Sequence, residues 1–312
     1  MIISASRRTD IPTYYSDWFT NRIKEGFVLV RNPISIHQIS KISLSPDVVD
    51  GIVFWTKNPI PMLDKLNLLK DYSFYFQFTI TPYGKDVEPN IPSKPDVIIP
   101  AFQKLSDLIG AEKVVWRYDP IMLNTKYTME YHVQAFEKIA SQLSQYTKKC
   151  TISFVDFYRN TINNVKELSP AEFPENKIIE LSKMLADIAH SYNLKMDTCA
   201  EKIELQQFGI EHARCIDDRL FEKILGCPLQ VDKDKNQRLE CGCISSIDIG
   251  MYNTCKNGCR YCYANFSDTA VKNNTEKHNP SSPLLFGEVG DGDIVKERIV
   301  KSCKDNQIRL DI

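Results

Sequence analysis

The sequence predicts an α/β fold: about six to seven parallel strands in a partial or closed (β/α) barrel, circularly permuted so that its cysteine loop lies near the C-terminus. Three observations carry this expectation. Short runs rich in Val, Ile, Phe and Trp alternate with segments of helical period. Polar and charged residues follow most of the runs directly. A length of 312 residues fits one barrel as a single domain.

The runs come in order. Ile2–Ser6, Ile52–Thr56, Tyr75–Ile80, Lys113–Tyr118 and Thr151–Val155 read as buried strands, and Leu194–Thr198 reads as a sixth, weaker in pattern. Between them, Tyr14–Lys24 places Tyr15, Trp18, Phe19 and Ile23 near helical spacing. Tyr131–Leu143 repeats Val133, Phe136, Ile139, Ala140 and Leu143 in the three–four rhythm, and Ile178–Tyr192 behaves alike. The four prolines of Pro89–Pro100 predict a loop. Strand–helix alternation implies right-handed crossovers and a parallel sheet. The strand ends then carry Arg7, Arg8, Thr9 and Asp10; Lys57 and Asn58; Thr81; Asp119 and Pro120; and Asp156. Helix capping puts such residues there too. Taken together, however, Arg7, Arg8, Lys57 and Arg117 suit a site for an anionic group at the C-terminal mouth, where barrels build their active sites.

Composition excludes several function classes. The chain is 43% hydrophobic and 25% charged with a formal net charge of −1, so bulk charge does not argue for capture of DNA or a membrane surface. No stretch approaches the roughly 20 apolar residues of a membrane span. The opening MIISASRRTD lacks the apolar core of a secretory signal, and a cytoplasmic protein with no membrane partner is expected. Ten cysteines are then notable, because that compartment keeps thiols reduced. Nine of the ten lie from Cys199 onward, which favours metal ligation.

Residues Asn253–Ala264 read NTCKNGCRYCYA, with Cys255, Cys259 and Cys262 in a C-x3-C-x2-C pattern. Three thiolates on one loop can converge on one centre, with Gly258 supplying the tight turn. Soft thiolates suit iron–sulfur clusters or zinc. In a 4Fe-4S cubane, three cysteines leave one iron open to an outside molecule. Cys199, Cys215, Cys241 and Cys243 form a second group, able to hold a second 4Fe-4S cluster or zinc, with Cys227 as a rival ligand. Cys150 and Cys303 read as ordinary thiols. His212, although near Cys215, reads as a surface or core histidine, and the Tyr14–Tyr15 pair reads as core packing.

The cysteine loop resembles the signature of the radical S-adenosylmethionine (SAM) superfamily, including the aromatic residue before the third cysteine, Tyr261. SASRRTDIP at Ser4–Pro12, FWTKNP at Phe54–Pro59, FQFTIT at Phe76–Thr81 and WRYDPI at Trp116–Ile121 resemble the DUF1848 family, related to spore-photoproduct-lyase-like proteins. The resemblance implies a full or partial α/β barrel, a 4Fe-4S cluster on Cys255, Cys259 and Cys262, and SAM on the open iron. It implies a reducing electron donor such as flavodoxin or ferredoxin. Reductive cleavage of SAM would yield a 5′-deoxyadenosyl radical that takes hydrogen from an unknown substrate, with nucleic acid a candidate by analogy alone. Tyr261 would flank the adenine. Arg7, Arg8, Lys57, Gln77 and Arg117 are candidates for the methionine carboxylate, the ribose or an anionic substrate. Tyr118 and Tyr252 are the candidate radical relays.

One departure stands out: the loop usually follows the first strand. Here Ser246–Tyr252 would be that strand, followed by a helix from Ala264 to Lys272, with the strand closing beside Ile2–Ser6. Permutation accounts for this; a separate C-terminal metal module is the alternative. The expected organisation is one barrel over 1–312, a cysteine-rich insertion at 199–245 and a cluster-binding strand, loop and helix at 246–272. Two other functions compete: a zinc-bearing nucleic-acid-binding protein, with Lys256, Arg260, Tyr261 and Tyr263 as contacts, and a two-cluster electron carrier.

Overall fold

The computed structural model describes residues 1–156, 162–171 and 173–305, with only the backbone of 162 and 163; the last seven residues of the single domain expected over 1–312 lie outside this range. Its strands are β1 (Ile2–Ala5), β2 (Phe27–Arg31), β3 (Gln38–Ser43), β4 (Gly51–Thr56), β5 (Phe74–Thr79), β6 (Val114–Ile121), β7 (Lys149–Phe154), β8 (Lys195–Thr198), β9 (Ile210–His212), β10 (Ile247–Asp248) and β11 (Ile294–Glu297). Eight of them form one sheet in the order β10-β1-β4-β5-β6-β7-β8-β9, and every adjacent pair is parallel. The sheet ends on β10 and β9, which do not pair with each other among the described residues. The fold is therefore α/β with a parallel sheet of eight strands, where six to seven were expected, and among the described residues the sheet does not close into a barrel.

All six expected runs are strands. The seventh expected strand is present as well: Ile247 and Asp248 pair with Ile3 and Ser4. Asp248 cements the junction by accepting from Ser4 Oγ at 2.7 Å, Ser6 Oγ at 2.6 Å and the Arg7 N–H at 2.9 Å. The eighth strand, β9, is only three residues long and was not legible as a run. β2, β3 and β11 form a separate small sheet with Phe27–Arg31 antiparallel to Gln38–Ser43.

Alternation along each strand divides the core in two. Ile3 and Ala5, Ile52 and Phe54, Phe76 and Phe78, and Trp116 and Tyr118 point to one face. There they meet Trp18 and Phe19 of helix Ser16–Glu25, Phe102 and Leu105 of Ile99–Ile109, Phe136 of Met129–Leu143, and Leu181 and Leu185 of Glu175–Ser191. Each fully buried aromatic there contributes about 2–3 kcal/mol by removal of apolar area from water. Ile2, Val53, Tyr75 and Val115 point to the other face. That face is covered by Ala213, Cys215, Ile216, Phe221, Cys241, Cys243 and Ile244. Residues 199–245 thus pack one face of the sheet and also supply its last strand. Gly51 shows how tight this layer is: a Cβ there would lie 2.1 Å from Cε1 of Phe221.

Three helix boundaries depart from expectation. The first segment breaks into Ile11–Tyr14, capped by Asp10, and Ser16–Glu25. The loop expected over Pro89–Pro100 ends early, because Lys94–Ile98 forms a π-turn that runs into Ile99–Ile109, with Pro95 and Pro100 in first-turn positions where no N–H is required. The last helix begins at Asp268, four residues late, with Ser267 as its cap. No helix among the described residues is long and apolar enough to cross a membrane.

Candidate functional site

Residues Ile249–Ser267 leave β10 and fold over the C-terminal ends of the strands as an irregular loop. The loop is held by hydrogen bonds to two other segments. Tyr15 Oη donates to the Thr254 carbonyl at 2.6 Å and Tyr14 Oη to Asn257 Oδ1 at 2.8 Å. The amide of Asn90 donates to the Lys256 carbonyl at 2.8 Å, and the Arg260 N–H donates to the Val87 carbonyl at 2.9 Å. Gly258 has φ +68, and a Cβ there would approach Pro89 Cγ and Asn90 Nδ2 to 3.1 Å. The glycine expected to turn the chain between the first two cysteines does so, in a slot where a side chain would be strained and crowded. Asn265 explains the delayed helix: its amide donates to the Cys255 carbonyl at 2.7 Å, so residues 264–267 close the loop first.

Asp10 ties this loop to the sheet. Its carboxylate is buried and accepts from the Thr13 N–H at 3.1 Å, the Lys57 N–H at 2.8 Å and the Asn257 amide at 3.2 Å. One side chain therefore caps a helix, fixes the end of β4 and orients the residue between Cys255 and Cys259.

Beneath the loop lies a cavity of about 450 Å³, lined from seven of the eight main-sheet strands: Arg7 after β1, Lys57 after β4, Thr79 in β5, Arg117 and Asp119 in β6, Ser153 in β7, Cys199 after β8 and Cys215 after β9. All seven cysteines singled out from the sequence line it: Cys255, Cys259 and Cys262 from the loop, and Cys199, Cys215, Cys241 and Cys243 from the segment opposite. Parallel sheets place ligand sites at this end.

Of the three loop thiols, Cys255 and Cys259 are buried and Cys262 is half-buried. Burial pushes Cys255 above the usual thiol range, helped by Asp10, Cys262 and Cys259. Burial also pushes Cys259 up to about 12, opposed by the Lys57 ammonium, and raises Cys262. They are thiols that a metal would have to deprotonate. Among the described residues no three Cys, His, Asp or Glu side chains converge on a single ion. A mononuclear zinc site needs every sulfur about 2.3 Å from one point. Three soft sulfurs beside the cavity are the donor set that an iron–sulfur cluster with one iron open to an outside molecule would use.

The second group is a contiguous row. Cys199 and Cys215 approach with sulfurs 3.3 Å apart, Cys243 hydrogen-bonds Cys215, and Cys241 follows Cys243. Donation from Cys199 and Cys243, with the Arg117 guanidinium, holds Cys215 well below the usual thiol range. Arg117 Nη1 sits 3.0 Å from Cys215 Sγ, while the Ile216 N–H donates to Cys243 Sγ at 3.3 Å.

The cations fare unequally. Arg7 lies against Trp55, its guanidinium carbon 5.4 Å from the ring centroid, and its Nη2 has no hydrogen-bond partner. Arg8 lines the cavity with its guanidinium carbon 5.0 Å from the Tyr252 ring centroid. Lys57 is not a free cation: its ammonium is 2.7 Å from Glu88 Oε1. Gln77, expected at the mouth, does not line the cavity. It points from mid-strand to the Cys215 carbonyl at 2.8 Å and meets Arg117 at 3.3 Å, so it positions neighbours instead. Tyr118 faces the helix layer, bonded to His132 Nδ1 at 2.8 Å, and Tyr252 lies outside the cavity, stacked on Phe266. Neither borders the cavity, which removes the geometric basis for both as relays. Cys227, Cys150, Cys303 and His212 do not line it either. His212 Nε2 instead meets Glu204 at 3.0 Å.

Sequence reasoning missed Glu88. It is 1% exposed and binds four groups: Lys57, Lys94, Thr81 at 2.9 Å and the Tyr261 hydroxyl. Lys57 and Lys94 outweigh the cost of its burial and hold its carboxyl down at about 2. The network seats Tyr261 beside Cys262 on the cavity wall. No local pattern marks a lone Glu between Val87 and Pro89 as the hub of such a set.

A family described as a domain of unknown function (DUF1848) matches residues 2–264, from the first strand through the last loop cysteine. No curated protein matches the chain.

Proposed function

We propose, taking as premise that this chain belongs to the DUF1848 family, that it is a radical SAM enzyme. In this reading Cys255, Cys259 and Cys262 hold a 4Fe-4S cluster, and SAM occupies the cavity beneath. The observation that carries it is the convergence of one three-cysteine loop and several cations on a single 450 Å³ cavity at the C-terminal end of a parallel sheet. A 4Fe-4S cluster held there would, when reduced by a carrier such as flavodoxin or ferredoxin, supply one electron for the reductive cleavage of SAM to methionine and a 5′-deoxyadenosyl radical. The chain's own residues bind and orient. Asp10 and Asn257 fix the loop so that its sulfurs face inward. Tyr261, steadied by Glu88, offers a flat wall for the adenine. Arg7, with an unpartnered nitrogen, and Arg8 offer charge to the carboxylate of SAM or to an anionic substrate. Loop, strand ends and residues between 236 and 243 line the cavity.

The pairing of β10 with β1 supports circular permutation of a partial barrel in preference to a separate metal module, since the strand before the loop belongs to the main sheet. The test is anaerobic reconstitution with iron and sulfide, then dithionite and SAM. 5′-Deoxyadenosine should accumulate with the parent chain and not with Cys259→Ala. A protein that takes up zinc only, or a Cys259→Ala variant as active as its parent, rejects the proposal.

A further inference from the structure

Cys199 and Cys215 lie on neighbouring segments and bring their sulfurs to 3.3 Å, in hydrogen-bond contact. Cys199 follows β8 and Cys215 lies beyond β9. The pairing of β8 with β9, extended by the Ala213 N–H to the Thr198 carbonyl at 2.8 Å, sets the two segments side by side. Both backbones are held. Ala200, next to Cys199, takes φ +55, a left-handed conformation that alanine rarely adopts. Tyr75 Oη and the Gln77 amide both donate to the Cys215 carbonyl at 2.8 Å, which pins that residue to the sheet. The sulfurs stand closer than thiolates on separate irons of a cubane can, so the row does not fit the second cluster expected from its four cysteines. They are within about 1.3 Å of the bond length of a disulfide.

The setting suits thiol chemistry. Both sulfurs line the 450 Å³ cavity, Cys199 half-buried and Cys215 buried, and the cavity has room for a disulfide of amino-acid size. Arg117 is clamped by Asp119, which accepts from Nε at 2.9 Å and from Nη2. That ion pair offsets the desolvation of the buried guanidinium and leaves Nη1 aimed at Cys215 Sγ at 3.0 Å. An N–H donor from a cation favours the thiolate over the thiol, and the thiolate is the form that attacks a disulfide. Among the described residues no three Cys, His, Asp or Glu side chains converge on one ion, so the packing builds a close pair and not a metal cage.

We propose that Cys199 and Cys215 are a redox-active dithiol that reduces a small disulfide entering the cavity. The Cys215 thiolate attacks one sulfur of the disulfide R–S–S–R and expels RS⁻, which takes the proton of Cys199. The Cys199 thiolate then attacks the Cys215 sulfur of the mixed disulfide and expels the second RS⁻, which takes a proton from water. The small disulfide gains two electrons and leaves as two thiols, and the protein keeps a Cys199–Cys215 disulfide. A second dithiol returns the pair to its reduced form by the same exchange.

Cystine serves as the probe. The reduced full-length chain, given one equivalent of cystine without oxygen, should release about two cysteines and lose about two of its ten thiols. Alkylation and digestion should then yield a peptide pair joined through Cys199 and Cys215, and dithiothreitol should restore both thiols. Cys199→Ser should stop at the mixed disulfide, with cysteine held on Cys215 and about one cysteine released. Cys227→Ser, altered outside the cavity, should react as the parent does. Circular dichroism checks the fold of each variant. Cys199 and Cys215 both still open to alkylation after cystine, a bond from either to Cys243 in place of the pair, or tightly bound zinc that shields the row would each overturn the inference. Loss or gain of SAM cleavage bears on the loop and not on this pair.

Discussion

Removing the carboxylate of Glu88 should cost this protein more than any surface change, and the structure sets the size. Glu88 sits between Lys57 and Lys94, whose side chains are 13% and 15% exposed, and it also accepts from Thr81 and Tyr261. Its carboxyl is held at about 2 against an ordinary 4.5. At about 1.4 kcal/mol per unit this corresponds to about 3 kcal/mol of stability at neutral pH. The sign follows from a depressed carboxylate. The contribution is fully present above pH 4.5 and disappears as the pH falls toward 2. Glu88→Gln keeps the shape but leaves two buried ammonium groups without an anion, a change of about 3–5 kcal/mol. Urea unfolding of parent and variant should therefore differ by about 3 kcal/mol at pH 7, with the gap narrowing below pH 4.5. A difference under about 0.5 kcal/mol at pH 7, the range of an ordinary surface substitution, would refute the reasoning.

Asp10→Ala should lose a helix cap worth about 1 kcal/mol together with the acceptor for the Lys57 N–H and the Asn257 amide, for about 2–3 kcal/mol in all; urea unfolding reads it, and parent-like stability would contradict the anchoring role. Gly258→Ala must hold an L-residue at φ +68 against Pro89, costing about 1–2 kcal/mol. Its iron per chain after desalting should fall below the parent's, and full retention would show that the turn is not needed. Gly51→Ala drives a methyl into Phe221 and should destabilise by about 1–3 kcal/mol in thermal or urea unfolding, with an unchanged midpoint as the contrary result.

The sheet was legible because its strands are buried on both faces and so read as near-continuous apolar runs: IVFWT, YFQFTI and KVVWRY each match a strand within a few residues. β9 was not, since Ile210–His212 offers one buried residue and owes its place to Met196–Thr198 beside it. The Pro89–Pro100 stretch misled for a different reason: proline stops a helix from its interior yet is tolerated in the first turn, and sequence alone did not reveal which applied. In the site, the seven cysteines and Arg7, Arg8, Lys57 and Arg117 were found because thiols and strand-end cations are conspicuous, and one cavity gathers them. Gln77 was misplaced by its depth along the strand and Tyr118 by strand phase. Gln77 lies mid-strand, two residues short of Thr79 at the cavity, and Tyr118 shares the helix-facing phase of Trp116. Glu88 escaped because its importance lies in Lys57, Lys94 and Tyr261, which converge on it from 6 to 173 positions away.

The claim on which the account rests is that one iron on the Cys255–Cys259–Cys262 loop is left without a protein ligand and is bound by SAM in the cavity. Electron–nuclear double resonance on the dithionite-reduced protein with SAM labelled with oxygen-17 in its carboxylate reads that bond. The account predicts an oxygen-17 coupling to the cluster that is absent from Cys259→Ala. A reduced, iron-replete protein whose cluster signal is indifferent to labelled SAM would contradict it.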